Sequence, residues 1–221
     1  MLKKYTLFFL FQACVYSFYA QTHFATYEVS FELKKLNDSI IPLASINQLL
    51  NEQTNMKLKL VYNDKFSRQS FADESSTESP IKSVGGDASI IDKRNNIKYI
   101  FKNSEILKSM QNDSDVYVMI EDKDSLIEAK TYRSLKLIKI VQGELETKER
   151  LLHFLLDKEL PKELNPYNHL PEKLKIYGGV YQVTMINENQ NQTLTLISTG
   201  QGFDREFEEE VDKITTYRNK N

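Results

Sequence analysis

Residues 25–33, ATYEVSFEL, alternate without a break. Ala25, Tyr27, Val29, Phe31 and Leu33 fall on one side, and Thr26, Glu28, Ser30 and Glu32 on the other. A period of two fits an extended strand with one face in an apolar core. A helix would scatter the same residues round its axis. Related patterns occur in MKLKLVYN (56–63), NIKYIFKN (96–103), DVYVMIED (115–122), SLKLIKIV (134–141), VYQVTMIN (180–187) and QTLTLIST (192–199). Most are separated by Asn, Asp, Ser and Gly, the residues of turns. Seven such segments predict a mainly β fold, antiparallel, built as one large curved sheet or half-barrel with a minor helix.

The helix is predicted in PLASINQLLNEQ (42–53), where Leu43, Ile46, Leu49 and Leu50 recur at three and four and Ser39 stands as a candidate cap. KERLLHFLLDKEL (148–160) suits a helix or a buried strand equally. The Ser-rich stretch 67–89 reads as a loop, and the last dozen residues as a short helix or a polar C-terminal tail.

The first twenty residues, MLKKYTLFFLFQACVYSFYA, have a different build: two lysines, an apolar run, then Ser17 and Ala20 before a polar QTH. That is the pattern of a signal peptide cut after Ala20, which leaves 21–221 as a single β-rich domain. The apolar run is too short and too interrupted for a comfortable membrane span, and no longer one follows. FQAC also resembles a loose lipoprotein cleavage box, with Cys14 as the lipidated first residue. With the cut after Ala20 the only cysteine leaves, and disulfides, cysteine nucleophiles and thiolate metal sites leave with it.

Net charge is −2, from 29 basic and 31 acidic residues, which gives no reason to expect nucleic acid as a partner. No P-loop, GxSxG elbow or GxGxxG before a helix is present, and no cofactor is expected. The three histidines, His23, His153 and His169, are spread apart, with no HxH or HExxH. His23 would stand third after a cut at Ala20, where amine, amides and imidazole could form a square-planar Cu(II) or Ni(II) site.

Gly178-Gly179 precedes the strand that begins at Val180, in a chain with only seven glycines. Paired glycines there suggest a tight entry, a bulge or a close approach of backbone. The order of features is leader, ATYEVSF strand, Ser-rich middle, YVMIED strand, FLLDKELP with Leu160-Pro161, Pro166-Tyr167, and then GGVYQVTMIN. In order and spacing this resembles the GLPGLI family of exported Bacteroidota proteins. Pro161 matches the family's Leu-Pro position, and Gly178, Gly179 and Val180 match its signature segment. The resemblance implies a cell-envelope address: periplasmic, outer-membrane associated or extracellular. It assigns no reaction.

Two functions follow as expectations. One is a non-enzymatic envelope protein that binds a protein partner or an apolar ligand. The alternative is a hydrolase, with His153, Asp157 and Glu159 as its candidate residues. Asp38-Ser39-Ile40 and Asp124-Ser125-Leu126 also resemble the O-glycosylation signal of the Bacteroidota periplasm, which makes Ser39 and Ser125 candidate modification sites.

Overall fold

The computed structural model describes residues 22–34, 43–53, 56–73, 89–102, 105–110, 116–142, 147–166 and 172–220. In chain order the elements are β1 (Thr22–Leu33), α1 (Leu43–Gln53), β2 (Met56–Tyr62), β3 (Phe66–Asp73), β4 (Ser89–Asp92), β5 (Ile97–Lys102), β6 (Glu105–Met110), β7 (Val116–Ile127), β8 (Lys130–Gln142) and β9 (Thr147–Asp157). A 3₁₀ turn (Glu172–Tyr177), β10 (Gly179–Ile186), β11 (Gln190–Gly202) and α2 (Arg205–Lys220) complete the fold. All seven alternating segments are strands, and the expected helix is α1. The fold is mainly antiparallel β.

The strands form one sheet in the order β6-β5-β4-β3-β2-β1-β11-β10-β9-β8-β7, a meander with β1 and β11 paired at its centre. All ten neighbouring pairs are antiparallel. Ten reversals leave the two edge strands, β6 and β7, running the same way. Laid flat, ten gaps would set those edges about 48 Å apart. Yet Met110 and Val116 are joined by only five residues, which reach roughly 20 Å. The sheet is therefore rolled, and the chain passes from one edge to the other without reversing.

Rolling gives the sheet two different faces. The concave face gathers Ala25 and Tyr27 of β1, Leu58 and Leu60 of β2, and Leu135, Leu137, Leu152, Phe154 and Leu156 of β8 and β9. Val180, Val183 and Leu194 of β10 and β11 complete the set. Between β9 and β10 the chain folds back, and Leu164 and Leu174 plug this face. Tyr27 donates its hydroxyl to the Val180 carbonyl at 2.8 Å, so its one polar atom is satisfied inside the core. The convex face carries a second cluster of Val61, Phe66, Ile90 and Tyr99, covered by Phe207 and Ile214 of α2.

Two expectations are corrected here. Residues 67–73 are not loop: they lie in β3, paired with β2 from Ser67 to Asp73. Residues 74–88 of the Ser-rich stretch lie outside the described residues, and Ser89 begins β4. Of the two readings of the C-terminal segment, the helix is met and the tail is corrected: it is the 16-residue helix α2. Asp204 caps it by accepting the Phe207 amide at 3.0 Å. Glu206 and Glu208 in its first turn oppose the positive end of the helix dipole. Arg68 of β3, buried, binds Glu206 at 3.0 Å and Glu210 at 3.1 Å, which fastens the helix to the sheet. α1 is tied at its own side: Asn47 accepts the Leu33 amide at 2.8 Å and donates to the Leu33 carbonyl at 3.1 Å.

KERLLHFLLDKEL resolves as strand β9. Leu152, Phe154 and Leu156 face the concave core, while Leu155 on the opposite face is also buried. A strand buried at positions of both parities reads as a continuous apolar run, which is why its period was ambiguous.

Candidate functional site

Gly178 and Gly179 form the entry to β10, and they differ in why they must be glycine. Gly178 has φ +117°, and a Cβ there would overlap the Asp157 backbone. Gly179 has no positive φ. A Cβ on it would come within 2.8 Å of Leu160 Cβ and would overlap the Pro161 carbonyl oxygen. Gly178 thus makes the tight entry through its positive φ, and Gly179 is the close-approach glycine. Pro161 belongs to the same knot: Leu164 N donates to the Pro161 carbonyl at 2.9 Å, and Val180 N donates to the Leu164 carbonyl at 2.8 Å. Gly179 N donates to the Leu160 carbonyl at 3.0 Å. These amides are consumed within the fold, so the signature-like segment is a structural clasp that holds the plug of Leu164 and Leu174.

His153, Asp157 and Glu159 are not brought together. His153 and Asp157 are four residues apart on β9, about 13 Å along a strand. Asp157 is buried and binds Lys130 at 2.6 Å, and its Oδ1 accepts the Glu159 amide at 3.0 Å. Glu159 binds the same lysine at 2.9 Å. Two carboxylates hold the Lys130 ammonium charged, raising its pKa far above that of a free lysine. Both acids are thereby spent on a turn.

His153 instead sits 2.9 Å from the Ser134 hydroxyl through Nε2, beside Lys136. Burial, then the nearby Lys136 charge, pushes its pKa below the usual value, with Glu121 opposing. The imidazole is expected to titrate below the usual histidine value. An NMR titration of the His153 ring protons checks this. A midpoint above 6.5 would contradict the placement. Glu121, bound by Lys123 and at 2.7 Å by Lys136, is lowered to about 2. Among the described residues no group of three or more His, Cys, Asp or Glu could hold a metal ion.

The weaker candidates are dispersed. Ser125 lies not in a loop but on β7, opposite Tyr132. Ser39 lies outside the described residues. His23 lies within β1, paired with Tyr62 and Gln201, its ring stacked on Tyr62 at 5.4 Å. Burial pushes the Tyr62 hydroxyl up to about 12.

What the structure does assemble is an apolar strip on the convex face. Direct cross-strand partners share a face, so Val118 (β7), Ile138 (β8), Leu151 (β9) and Ile186 (β10) line up across four strands. Val116 and Ile140 lie beside them as the next pair on the same face. A bulge between Met119 and Glu121 inserts Ile120 as an extra residue. Ile120, Ile138, Leu151 and Ile186 line an open groove of about 850 Å³, rimmed by Glu149, Arg150 and Glu188.

The strip is most exposed at the sheet edge. Val116 is 48 %, Val118 46 % and Ile120 54 % exposed, where core residues of neighbouring strands are nearly sealed. No described strand pairs with the other side of β7, which leaves that edge without a strand partner among the described residues, beside exposed apolar side chains. Natural sheets usually blunt such an edge with charge, proline or a bulge. Here the bulge at Ile120 and then Lys123 do so from the middle of the strand onward, and Val116 to Met119 carry neither. DVYVMIED gives the sequence signal: alternation lapses into five consecutive apolar residues, Val116 to Ile120. The chain matches no family model and no curated protein.

Proposed function

We propose that this is an exported cell-envelope protein, similar to the GLPGLI family, that works by binding a partner protein and carries no catalytic centre. The observation that carries the reading is the long apolar edge strand β7, paired on one side only among the described strands, with its apolar strip continuing across the convex face. Exposed apolar patches with a polar rim characterise interaction surfaces. An open strand edge supplies main-chain hydrogen bonds to go with them. The concave face is a poorer host for an apolar ligand, because Tyr27, Leu58, Leu135, Leu137, Leu152 and Phe154 fill it and are no more than 2 % exposed. Among the described residues no helix is long and apolar enough to cross a membrane.

The address follows from the leader. Mass analysis of the protein from its native host is expected to show Gln21 as first residue; a lipidated Cys14 would move it to a membrane surface. In the same spectrum a glycan on Ser39 or Ser125 would appear as added mass, lost in a Ser39→Ala, Ser125→Ala double variant.

The binding reading is tested by isolating the protein from the envelope fraction and identifying what remains bound. A stoichiometric protein, a further copy of the chain included, is expected. It should be lost from a Val118→Lys, Ile138→Lys variant whose circular dichroism is unchanged. Association that survives in the variant, or its absence from the parent, would contradict the reading.

A further inference from the structure

The geometry points to a second copy of this chain as the occupant of the β7 edge, in a two-fold antiparallel pair centred on Val118. This rests on the reading of β7 as the binding surface and names the partner that fits it.

Three observations converge. The first is strand direction. Every pair in the sheet is antiparallel, but the chain's own other edge, β6, runs parallel to β7 and offers it no antiparallel neighbour. Identical edges related by a two-fold axis are necessarily antiparallel.

The second is the match of residues. Centring the axis on Val118 sets Val118 opposite Val118 and Tyr117 opposite Met119, and brings Val116 against Ile120, the bulge residue that ends the regular stretch. Each of these pairs is apolar on apolar, the most favourable kind of cross-strand neighbour. Val118 shares its face with Ile138, Leu151 and Ile186, so the strip of one copy would run unbroken into that of the other.

The third is charge. Longer two-fold registers fail: centring on Asp122 sets that carboxylate against itself, and centring between Glu121 and Asp122 opposes two acids. Like charges directly opposite are destabilising. The acidic second half of β7 therefore selects the apolar first half, and pairing is confined to residues 116–120, because the next pair in this register, Asp115 with Glu121, again opposes two acids.

The register makes a specific test possible. Directly opposite residues in an antiparallel pair have Cα atoms about 4.5–5.5 Å apart, within disulfide reach. The full chain would carry Cys14→Ala, to remove its one native cysteine, together with Val118→Cys. Under oxidised glutathione most of it is expected to run as a covalent dimer. The same chain with Val116→Cys is the control, because that residue meets Ile120 and its own copy lies about 13 Å away. It should stay monomeric on a non-reducing gel.

Val118→Lys, in otherwise parent sequence, should weaken self-association roughly tenfold or more by sedimentation, with thermal stability unchanged. Equal cross-linking at 118 and 116, or a monomer at every concentration, would overturn the proposal. If envelope association still depended on β7 in that case, the partner would be a different protein and the broader reading would stand.

Discussion

Gly178→Val is expected to cost about 2–6 kcal/mol of stability. Two independent terms add. A β-branched residue at φ +117° is strained by about 1–3 kcal/mol. Its Cβ must also displace the Asp157 backbone, a rigid neighbour, at an overpacking cost of about 1–3 kcal/mol more. The damage spreads because Asp157 is the end of β9 and pairs with Gly179, and the clasp holds Leu164 and Leu174 in the concave core. Gly179→Val carries only the second term, against Leu160 and the Pro161 carbonyl, and should cost less. Chemical denaturation of both variants decides it. Gly179→Val at least as destabilising as Gly178→Val would show that backbone strain is not the larger element.

Arg68→Met is expected to cost about 3–5 kcal/mol, because it leaves buried acid without its counter-charge. The guanidinium binds Glu206 and Glu210 and lies 3.6 Å from Asp204; of these, Glu210 is buried and Glu206 exposed. Burial pushes the Glu210 carboxyl up, with Arg68 pulling it back. In the variant the upward push stands almost alone. A carboxyl whose folded pKa lies above its unfolded value penalises the fold once pH exceeds the unfolded value. That penalty is relieved as pH falls through the folded pKa. The deficit relative to parent should therefore shrink on acidification, as Glu210 takes up a proton. A deficit independent of pH would mean that lost packing of the arginine stem, and not charge, explains the loss. α2 should loosen first, since Phe207 and Ile214 rely on this anchor to stay docked.

Legibility in the sequence tracks how each element is buried. β1, β2, β8 and β10 have one face in the concave core, so alternation declared them. FSRQSFAD, which is β3, was hidden because its Arg68 position is buried by ion pairs with a helix whose Glu210 lies 142 residues away, which no local period can express. The four residues of β4 are too short for a period to stand out, and β6, EILKSM, sets Ile106 next to Leu107 and so does not alternate. In α2 the acids of REFEEEVD drew attention away from Phe207, Val211, Ile214 and Tyr217, whose spacing of four, three and three is a helical stripe.

The glycine pair was legible as a constraint but not as a division of roles, because φ belongs to the assembled loop. The convex strip was invisible for another reason. Its members come from four strands, and only the register places Ile138, Leu151 and Ile186 in line with Val118.

Amide hydrogen exchange on β7 tests the account most directly. In dilute isolated protein, peptides covering residues 116–127 should exchange quickly, while those from β1 and β9, paired on both sides, exchange slowly. In protein held within the envelope fraction, residues 116–120 should become protected with β1 and β9 unchanged. If β7 exchanges equally in both states, the open edge is not the surface through which this protein binds.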